Sequence, residues 1–387
     1  MRIFIAGIDG YLGWPLAMHL ALHGHEVHGI DNMSRRSLVK EVGSHSAIPI
    51  KELHSRVAIF KRETGMEIHA GYGDLRSHDS LLYYFKSFPP DAIVHLGEMP
   101  SAPYSMIDEK RCRETHDNNV GGTLSILWAI REVCPDAHLL KLGTMGEYGV
   151  PGVSIPEGDF EMQHRGRTAR MQFPRQPGSF YHCTKVHDTC NVEFCCRIWG
   201  LRATDIMQGV VYGTRISTSY QDHAELATRF DFDSIFGTVI NRFCAQAVAG
   251  VPITPYGKGG QHRGFLPLKD SIQCLTLALV NPPEPGQYRV FNQMEDTYNI
   301  LDLAEMVKEA GETLGLRPTI QLVENPRIEA EDHYYDVDHQ KLLDLGYVPT
   351  SDMRREISEM LTDLLPWKER ILKMSRSIAP VVTWSGR

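Results

Sequence analysis

The 387-residue sequence lacks several features that would point to particular classes of protein. Its eight cysteines include no Cys-x-x-Cys pair, and its eighteen histidines include no His-Glu-x-x-His, so neither a zinc knuckle nor a zinc-protease helix is indicated. We therefore predict no metal site. In a chain of this length, scattered cysteines are typical of reduced, mostly buried thiols, and we expect a cytoplasmic protein.

Long hydrophobic runs and an excess of basic residues are also missing. No apolar stretch is long enough to cross a bilayer, and the first apolar run leads directly into a glycine-rich turn rather than forming a signal peptide. The chain has 40 Lys and Arg residues and 48 Asp and Glu residues, so its net charge is -8. We therefore expect neither nucleic-acid binding nor membrane insertion.

The chain does contain a regular alternation of apolar strands and helices. The predicted strands are 2–6, 26–30, 92–96, 138–142 and 203–206, and the predicted helices are 14–23, 119–134 and 180–199. This alternation favours an α/β fold with a doubly wound parallel (Rossmann) sheet. We expect residues 1–210 to form a dinucleotide-binding domain with 237–250 packing back on it, and residues 211–387 to form mainly a smaller substrate-binding lobe.

A glycine fingerprint follows the first strand. Gly7, Gly10 and Gly13 connect that strand to a helix, and such a turn lets the backbone approach a pyrophosphate at the positive end of the helix. Asp31 ends the second strand, where a carboxylate accepts hydrogen bonds from both ribose hydroxyls and repels a 2′-phosphate. NAD is therefore favoured over NADP, although Arg35 and Arg36 are residues that a 2′-phosphate would attract.

Further cofactor contacts are expected along the ends of the strands and at the start of the following helices. The expected cofactor residues, besides those just named and the pair discussed next, are Asp9, Tyr11, Leu12, Asn32, Asp74, Leu75, Leu96, Gly97, Glu98, Asn119, Gln208 and Val211.

The strongest chemical signal is Tyr181 with Lys185. Residues four apart lie on one face of a helix, so the phenol and the ammonium point the same way. A free tyrosine, with a pKa near ~10, is a poor base at neutral pH. An ammonium and an oxidised nicotinamide ring would lower that pKa, so that Tyr181 can take the proton from a sugar hydroxyl. Thr144, at the end of another strand, could bond the same hydroxyl.

These motifs occur in the order found in the extended short-chain dehydrogenase/reductases that act on nucleotide sugars. Within that superfamily the chain resembles the UDP-sulfoquinovose synthase family nearly end to end. The most specific matching segments are Ser101-Ala102-Pro103-Tyr104-Ser105-Met106 and Thr144-Met145-Gly146-Glu147-Tyr148-Gly149. The matches continue through Tyr256-Gly257-Lys258-Gly259-Gly260-Gln261 and Asn325-Pro326-Arg327.

The resemblance implies a reaction between UDP-glucose and sulfite. NAD would oxidise the sugar at C4, and the ketone would acidify the C5 proton so that water is lost across C5 and C6. Sulfite would then add at C6, and re-reduction at C4 would regenerate NAD. The resemblance also implies a homodimer, and it leaves open whether sulfite arrives free or from a sulfur-donor protein.

One departure from the wider superfamily concerns the elimination step. Many sugar dehydratases carry an Asp-Glu pair directly after the threonine, but here those positions hold Met145 and Gly146. Glu147, His182 and Glu98 are the candidate replacements, and each could instead be structural. Glu147 and His182 are taken as candidate catalytic residues beside Thr144, Tyr181 and Lys185.

Arginines are expected around the diphosphate of a UDP-sugar, and other polar residues around its uridine and glucose. The predicted substrate residues are Ser101, Thr144, Met145, Gly146, Tyr181, Gln208, Arg242, Thr254, Tyr256, Gln261, Arg263, Arg327 and Glu329.

Two other functions remain open from the sequence. A UDP-sugar 4-epimerase or 4,6-dehydratase would share every cofactor residue, but it fits Met145-Gly146 and the Ser101–Met106 segment less well. A catalytically silent dinucleotide-binding regulator or RNA-associated protein would be free to lose Thr144, Tyr181 or Lys185, and all three are present.

Overall fold

A computed structural model of the chain describes residues 1–216, 224–328, 335–350 and 352–384. Parallel strands form a central sheet in the order β11-β8-β5-β4-β1-β2-β3. These strands are β1 Arg2–Ala6, β2 Glu26–Asp31, β3 Ile68–Tyr72, β4 Ala92–His95, β5 His138–Leu142, β8 Arg202–Gln208 and β11 Tyr288–Gln293. The order reverses beside β1, which is where ligands bind in sheets of this kind.

Two smaller sheets accompany the central one. An antiparallel hairpin joins β6 Asp159–His164 to β7 Arg167–Gln172, and a second sheet has the order β12-β10-β9. The strands of that second sheet are β9 Val210–Tyr212, β10 His262–Pro267 and β12 Asp296–Asn299.

The helices cover both faces of the central sheet and build the second lobe. In chain order they are α1 Gly13–Leu22, α2 Ser34–Glu41, α3 Leu53–Thr64, α4 His78–Ser87, α5 Ala102–Ser105, α6 Glu109–His116, α7 Gly122–Val133, α8 Phe180–Trp199, α9 Val239–Ala249, α10 Leu268–Val280, α11 Ile300–Thr313, α12 Gln340–Asp344, α13 Met353–Leu364 and α14 Lys368–Lys373.

The strands of the sheet are buried on both faces, as parallel strands covered by helices must be. Along β1, Ile3 and Ile5 join the core that contains α1 and α10, whereas Phe4 and Ala6 join the core that contains α4, α7 and α8. The predicted doubly wound α/β fold is therefore confirmed.

The expected division of the chain near residue 210, with residues 237–250 packing back on the first domain, stays a prediction. The outermost strand of the central sheet, β11, comes from residues 288–293, far beyond residue 210, because its backbone pairs in parallel with β8. Helix α9 packs with α11, α13 and α14 in a core that also contains Ala47 and Ile48 from the first 210 residues. Its apolar face, which includes Phe243 and Val248, meets the apolar faces of those helices.

Candidate active site

A cavity of about 800 Å³ lies between the carboxyl edge of the central sheet and the second lobe. Its walls combine the glycine turn after β1, the ends of β4 and β5, the start of α8, and residues of β9, β10 and α9. The cavity therefore unites the two halves of the chain, and its size is that of a typical ligand site.

The glycine turn has no room for side chains. Gly7 has a φ of +87°, and a Cβ atom there would lie 2.7 Å from the backbone carbonyl of Leu96. A Cβ atom on Gly13 would collide with the carbonyl oxygen of Gly7. The turn can therefore bring its backbone close to a pyrophosphate, as a dinucleotide requires.

The end of β2 is suited to a ribose. The Asp31 carboxylate accepts hydrogen bonds from the backbone N–H groups of Asp9, at 3.0 Å, and Met33, at 2.8 Å, and the residue lines the cavity. Burial raises the pKa of Asp31, and the nearby Asp9 carboxylate adds to this effect. The carboxylate is thus fixed in place at the position expected for the adenosine ribose.

Both neighbouring arginines have carboxylate partners within the protein. Arg36 donates to Asp9 at 2.7 and 2.8 Å and does not line the cavity, while Arg35 donates to Asp231 at 2.9 Å. Arg56 also pairs with Asp9. Because these guanidinium groups are paired internally, the position beside Asp31 favours NAD over NADP.

Most predicted cofactor residues lie on the cavity wall. They are Gly7, Gly10, Tyr11, Leu12, Asp31, Asn32, Arg35, Leu75, Leu96, Gly97, Glu98, Tyr181, Lys185, Gln208 and Val211. Four others, Asp9, Arg36, Asp74 and Asn119, lie behind or outside it. Asp74 is bound by Arg76, whose hydrogen bonds are the chief reason that the pKa of Asp74 is lowered.

Asn119 supports the site from behind. It lies in a π-helical turn, Asp117–Gly121, between α6 and α7, a distortion that often marks functional positions. Its side chain accepts from the backbone N–H of Met99 at 2.7 Å and donates to the Thr184 hydroxyl at 2.9 Å. Asn119 therefore ties the loop after β4 to the catalytic helix α8.

Thr144, Tyr181 and Lys185 all line the cavity. Thr144 precedes the turn after β5, and its hydroxyl accepts from the backbone N–H of Gly146 at 3.1 Å. The backbone N–H of Tyr181 donates to the Ser105 hydroxyl at 3.0 Å, which fixes the start of α8 against α5. The Lys185 ammonium lies 6.0 Å from the centre of the Tyr181 ring.

The electrostatics at Tyr181 differ from the expectation. Burial raises the pKa of Tyr181, and the carboxylates of Glu98, Glu147 and Asp188 raise it further. Lys185 does not offset these effects, because its ammonium pairs with Glu98 and donates to the Leu142 carbonyl at 2.5 Å. The protein alone therefore holds Tyr181 as a neutral phenol.

His182 also faces the cavity, and its neighbour in space is a glycine. A Cβ atom on Gly146 would collide with His182 Nε2, so the absence of a side chain at 146 gives the imidazole its place. His182 Nδ1 lies 2.9 Å from the Ser179 hydroxyl. Burial, followed by the charges of Arg327 and Arg263, lowers the pKa of His182 to about 3, so the imidazole is neutral.

Glu147, by contrast, points into the protein and is not on the cavity wall. Its carboxylate lies 3.7 Å from both the Lys141 ammonium and the Arg175 guanidinium, and it accepts from the Thr189 hydroxyl at 3.1 Å. Lys141 in turn pairs with Asp205 at 3.1 Å. This buried ion-pair network lies beneath the turn that carries Thr144.

Most of the predicted substrate residues also line the cavity. Ser101, Met145, Gly146, Arg242, Tyr256, Gln261, Arg263 and Arg327 line the cavity together with Thr144, Tyr181 and Gln208. Thr254 does not line it, but its carbonyl accepts from Arg242 at 3.2 Å and its hydroxyl from Gln246 at 2.8 Å. Glu329 lies outside the described residues.

Several wall residues were not predicted from the sequence. They include Asn118, Arg229, Asp231, Tyr335 and Trp384. Arg229 and Asp231 form a buried ion pair at 2.9 Å within the long loop that follows β9. In the sequence, Arg229 and Asp231 stand two positions apart, and this charged pair was the available signal for a site residue. Only the fold brings the pair to the cavity.

The fold, the glycine turn and the Thr144–Tyr181–Lys185 set define an NAD-dependent enzyme of the extended short-chain dehydrogenase/reductase class. The profile of the NAD dependent epimerase/dehydratase family matches residues 3–293. UDP-sulfoquinovose synthase of Sulfolobus acidocaldarius is 48% identical over 385 residues, covering 99% of this chain and 98% of the relative. The chloroplastic UDP-sulfoquinovose synthase of Spinacia oleracea is 45% identical, covering 99% and 79%.

Solved structures share the fold at lower identity. UDP-glucose 4-epimerase of Thermotoga maritima, solved with UDP-glucose, superimposes with a TM-score of 0.70 at 17% identity, covering 94% of this chain and 98% of that one. UDP-glucuronic acid 4-epimerase of Bacillus cereus, solved with UDP-glucuronic acid and NAD, gives 0.69 at 19% identity, covering 94% and 99%. The chain belongs to the NAD dependent epimerase/dehydratase family and, within it, to the UDP-sulfoquinovose synthases.

Proposed function

We propose that the protein makes UDP-sulfoquinovose from UDP-glucose and sulfite, with loss of water. The observation that carries this proposal is that His182, which stands beside Gly146, lines the same cavity as the oxidation set Thr144, Tyr181 and Lys185. An oxidation set alone would suit any enzyme of this class, whereas His182 occupies space that an acidic side chain at 146 would need.

The nucleotide part of the substrate is assigned to the side of the cavity formed by the second lobe. Arg242 donates to the Thr254 carbonyl and stacks on Tyr256 at 4.1 Å, and Arg263 and Arg327 line the same side. Guanidinium groups bind diphosphates well because their paired N–H groups match the phosphate oxygens. This arrangement leaves the glucose ring facing Thr144 and Tyr181.

Oxidation at C4 requires a base, and Tyr181 is the group on the wall best placed to serve. NAD, when bound, supplies the reversible redox chemistry at C4. Because Lys185 is paired with Glu98 and burial raises the pKa of Tyr181, the phenol loses its proton only when a further positive charge stands beside it. Thr144 would hold the same sugar hydroxyl and orient it toward Tyr181.

We assign removal of the C5 proton to His182. The imidazole is neutral, it is on the cavity wall, and it is fixed by Ser179. Burial and, after it, the charges of Arg327 and Arg263 keep the pKa of His182 low, and a bound diphosphate would offset those charges. Substrate binding would thereby raise the basicity of His182 at the moment when a base is needed.

Glu147 then acts as a positioning residue rather than as the base. Its partners Lys141, Arg175 and Thr189 hold it away from the cavity, so it would reach the sugar only if that network broke. Breaking a buried ion pair by removing one partner costs about 3–5 kcal/mol. The network instead fixes the turn that carries Thr144 and Met145.

A second copy of the chain is the partner that we propose for the outer face of α7 and α8. This face exposes Leu124, Trp128, Phe194 and Ile198, each by 40% or more. Trp128 lies 4.9 Å from Trp199, measured between ring centroids. A continuous apolar face of this kind on two neighbouring helices is typical of a subunit interface.

The remaining proposals concern the compartment of the protein and its supply of sulfite. The eight cysteines are free thiols in the structure, which agrees with a reducing compartment, and a cytoplasmic location stays a prediction. No helix in the described ranges is both long and apolar enough to cross a bilayer. Free sulfite at adequate concentration should suffice as the sulfur substrate. A sulfur-donor protein would then only deliver sulfite to the site.

The test is to incubate purified protein with UDP-glucose, with and without sulfite, and to record product masses. We expect a sulfonated nucleotide sugar only when sulfite is present. Formation in both reactions of an isomeric UDP-hexose, which has the mass of UDP-glucose but a different chromatographic retention, would instead identify a 4-epimerase. If a sulfur-donor protein is obligatory, no sulfonated product will form with free sulfite even though the C5 proton exchanges with solvent.

A further inference from the structure

Residues 379–384 lie beside the cavity, and Trp384 lines it. Pro380, Val382 and Trp384 are partly buried, whereas Val381 and Thr383 between them are exposed. This alternation indicates that one side of the segment faces the protein and the other faces solvent.

Contacts at three points fix the segment to different parts of the cavity rim. Two residues before the segment, the backbone N–H of Ser234 donates to the Ser377 carbonyl at 2.9 Å. In the middle, Val382 packs against a small apolar cluster that contains Met99 and Phe236, both of which also line the cavity. At the far end, the backbone N–H of Trp384 donates to the Pro326 carbonyl at 2.8 Å.

The far end reaches the arginine assigned to the diphosphate. The Arg327 guanidinium lies 5.1 Å from the centre of the Trp384 ring, within the range of a cation–π contact, and both residues line the cavity. The segment therefore joins the cofactor side of the cavity, at Met99 and Phe236, to its nucleotide side, at Arg327.

We propose that Val382 and Trp384 form part of the nucleotide-sugar site and that Trp384 is a positioning residue that holds Arg327 toward the diphosphate of the substrate. The proposal rests on the proposed function only in naming UDP-sugars as the ligand. A long arginine side chain has many rotamers, and stacking on the indole restricts it, so less freedom is lost when the diphosphate binds.

The test measures UDP and UDP-glucose binding by titration calorimetry, without turnover, in Trp384→Ala, Trp384→Phe and Val382→Ser. We expect Trp384→Ala to weaken UDP binding roughly five- to tenfold, the size of a moderately buried cation–π contact. Trp384→Phe should recover most of that affinity because it retains an aromatic face. Val382→Ser should also weaken binding, whereas its exposed neighbour Val381→Ser, which keeps the same backbone, should bind as wild type does.

A kinetic and a spectroscopic measurement distinguish a positioning role of Trp384 from a general loss of structure in the variants. In Trp384→Ala, KM for UDP-glucose should rise while kcat and the amount of copurified NAD stay near wild-type values. Addition of UDP should change the fluorescence of wild-type protein more than that of Trp384→Phe, because the indole at 384 borders the ligand. UDP binding by Trp384→Ala at wild-type affinity, or equal losses in Val381→Ser and Val382→Ser, would overturn the proposal.

These outcomes are independent of the reaction catalysed. A protein that makes no sulfonated product but loses UDP affinity in Trp384→Ala would refute the proposed function and support this assignment. A protein that sulfonates UDP-glucose while Trp384→Ala binds UDP normally would do the reverse.

Discussion

At residue 146, a missing side chain determines which group can reach the sugar. His182 Nε2 lies where it would collide with the Cβ atom of any other residue at 146. The position of the imidazole therefore depends on glycine at 146. The Met145-Gly146 departure therefore has a structural counterpart: the space left by the absent acidic side chain is filled by an imidazole from α8. The sequence indicated the departure, but not which neighbour fills the space.

Tyr181→Phe should lower the rate of C4 oxidation by about 10² to 10⁴-fold, the usual effect of removing a general base. The phenylalanine ring keeps the packing of Tyr181 and its backbone bond to Ser105, so UDP-glucose should bind with little change. Rapid-quench detection of the 4-keto sugar together with a binding titration measures both effects. Near-normal oxidation in this variant would refute the role of Tyr181.

His182→Ala and Glu147→Gln separate the two candidates for the elimination step. His182→Ala should retain C4 oxidation but reduce exchange of the C5 proton with deuterated solvent by about 10² to 10⁴-fold. Glu147→Gln should retain exchange and lower thermal stability, because Lys141 and Arg175 lose a buried partner. Mass spectrometry of recovered UDP-sugar reports the exchange, and the opposite pattern would make Glu147 the base.

Residue-level prediction from the sequence succeeded where the signal is local. The glycine turn and the i, i+4 spacing of Tyr181 and Lys185 are set by short-range geometry, so their position on the cavity wall could be predicted. The sign of the electrostatic effect at Tyr181 could not be predicted, because Glu98 comes from a different strand end and neutralises Lys185. The burial of Glu147 likewise depends on partners distant in the sequence.

At the scale of elements, the helices on either side of the cavity carry both the chemistry and the proposed subunit contact. Helix α8 begins at Phe180 and ends at Trp199, as the sequence predicted, with Gly200 in the left-handed conformation after it. Its first turns present Tyr181 and Lys185, while its last turns present Trp199 to the outer face. A subunit interface on α8 would therefore stabilise the element that positions the catalytic residues.

Introducing charge into that outer face should separate the subunits. Ile198 is 57% exposed and lies beside the Trp128–Trp199 pair, so Ile198→Glu should leave the monomer folded and disrupt association. Sedimentation velocity should show a shift from dimer to monomer. Tyr83→Glu, a substitution at an apolar residue on α4 that is exposed to a greater degree than Ile198, serves as the control. A monomeric wild type, or dimers in both variants, would contradict the assignment.

Element boundaries were predictable where strand and helix alternate regularly and less so where pairing is distant. The strand over 138–142 appears with the predicted bounds, and the helix over 119–134 appears as a π-helical turn followed by α7. Strand β11 was not predicted, because only its pairing with β8, from residues some eighty positions earlier, places it in the sheet.

At the scale of the whole molecule, buried neutral histidines should make stability depend on pH. Burial lowers the pKa of His95 to about 4 and of His138 and His182 to about 3. In the unfolded chain each takes up a proton near pH ~6.5, so the free energy of unfolding is unaffected above that pH and falls as the pH drops toward 3–4.

His138 offers a test away from the cavity, because it lies at the start of β5 and bonds the Thr204 hydroxyl at 2.9 Å. From pH 7.5 to pH 5, wild type should lose about 2 kcal/mol of stability through this one residue, and His138→Gln should not show that part of the loss. Urea unfolding at the two pH values measures it, with exposed His54→Gln as the control. Equal pH dependence in wild type and His138→Gln would contradict the expectation.

The measurement that tests the central claim most directly is turnover of UDP-glucose and sulfite in deuterated water, followed by mass spectrometry of the product. The proposed sequence of C4 oxidation, C5–C6 elimination and sulfite addition replaces the C6 hydroxyl with a sulfonate and returns a solvent proton to C5. We therefore predict UDP-sulfoquinovose that carries one deuterium at C5. A UDP-hexose that chromatography separates from UDP-glucose, with the same mass and no deuterium on carbon, would contradict the account and identify a 4-epimerase instead.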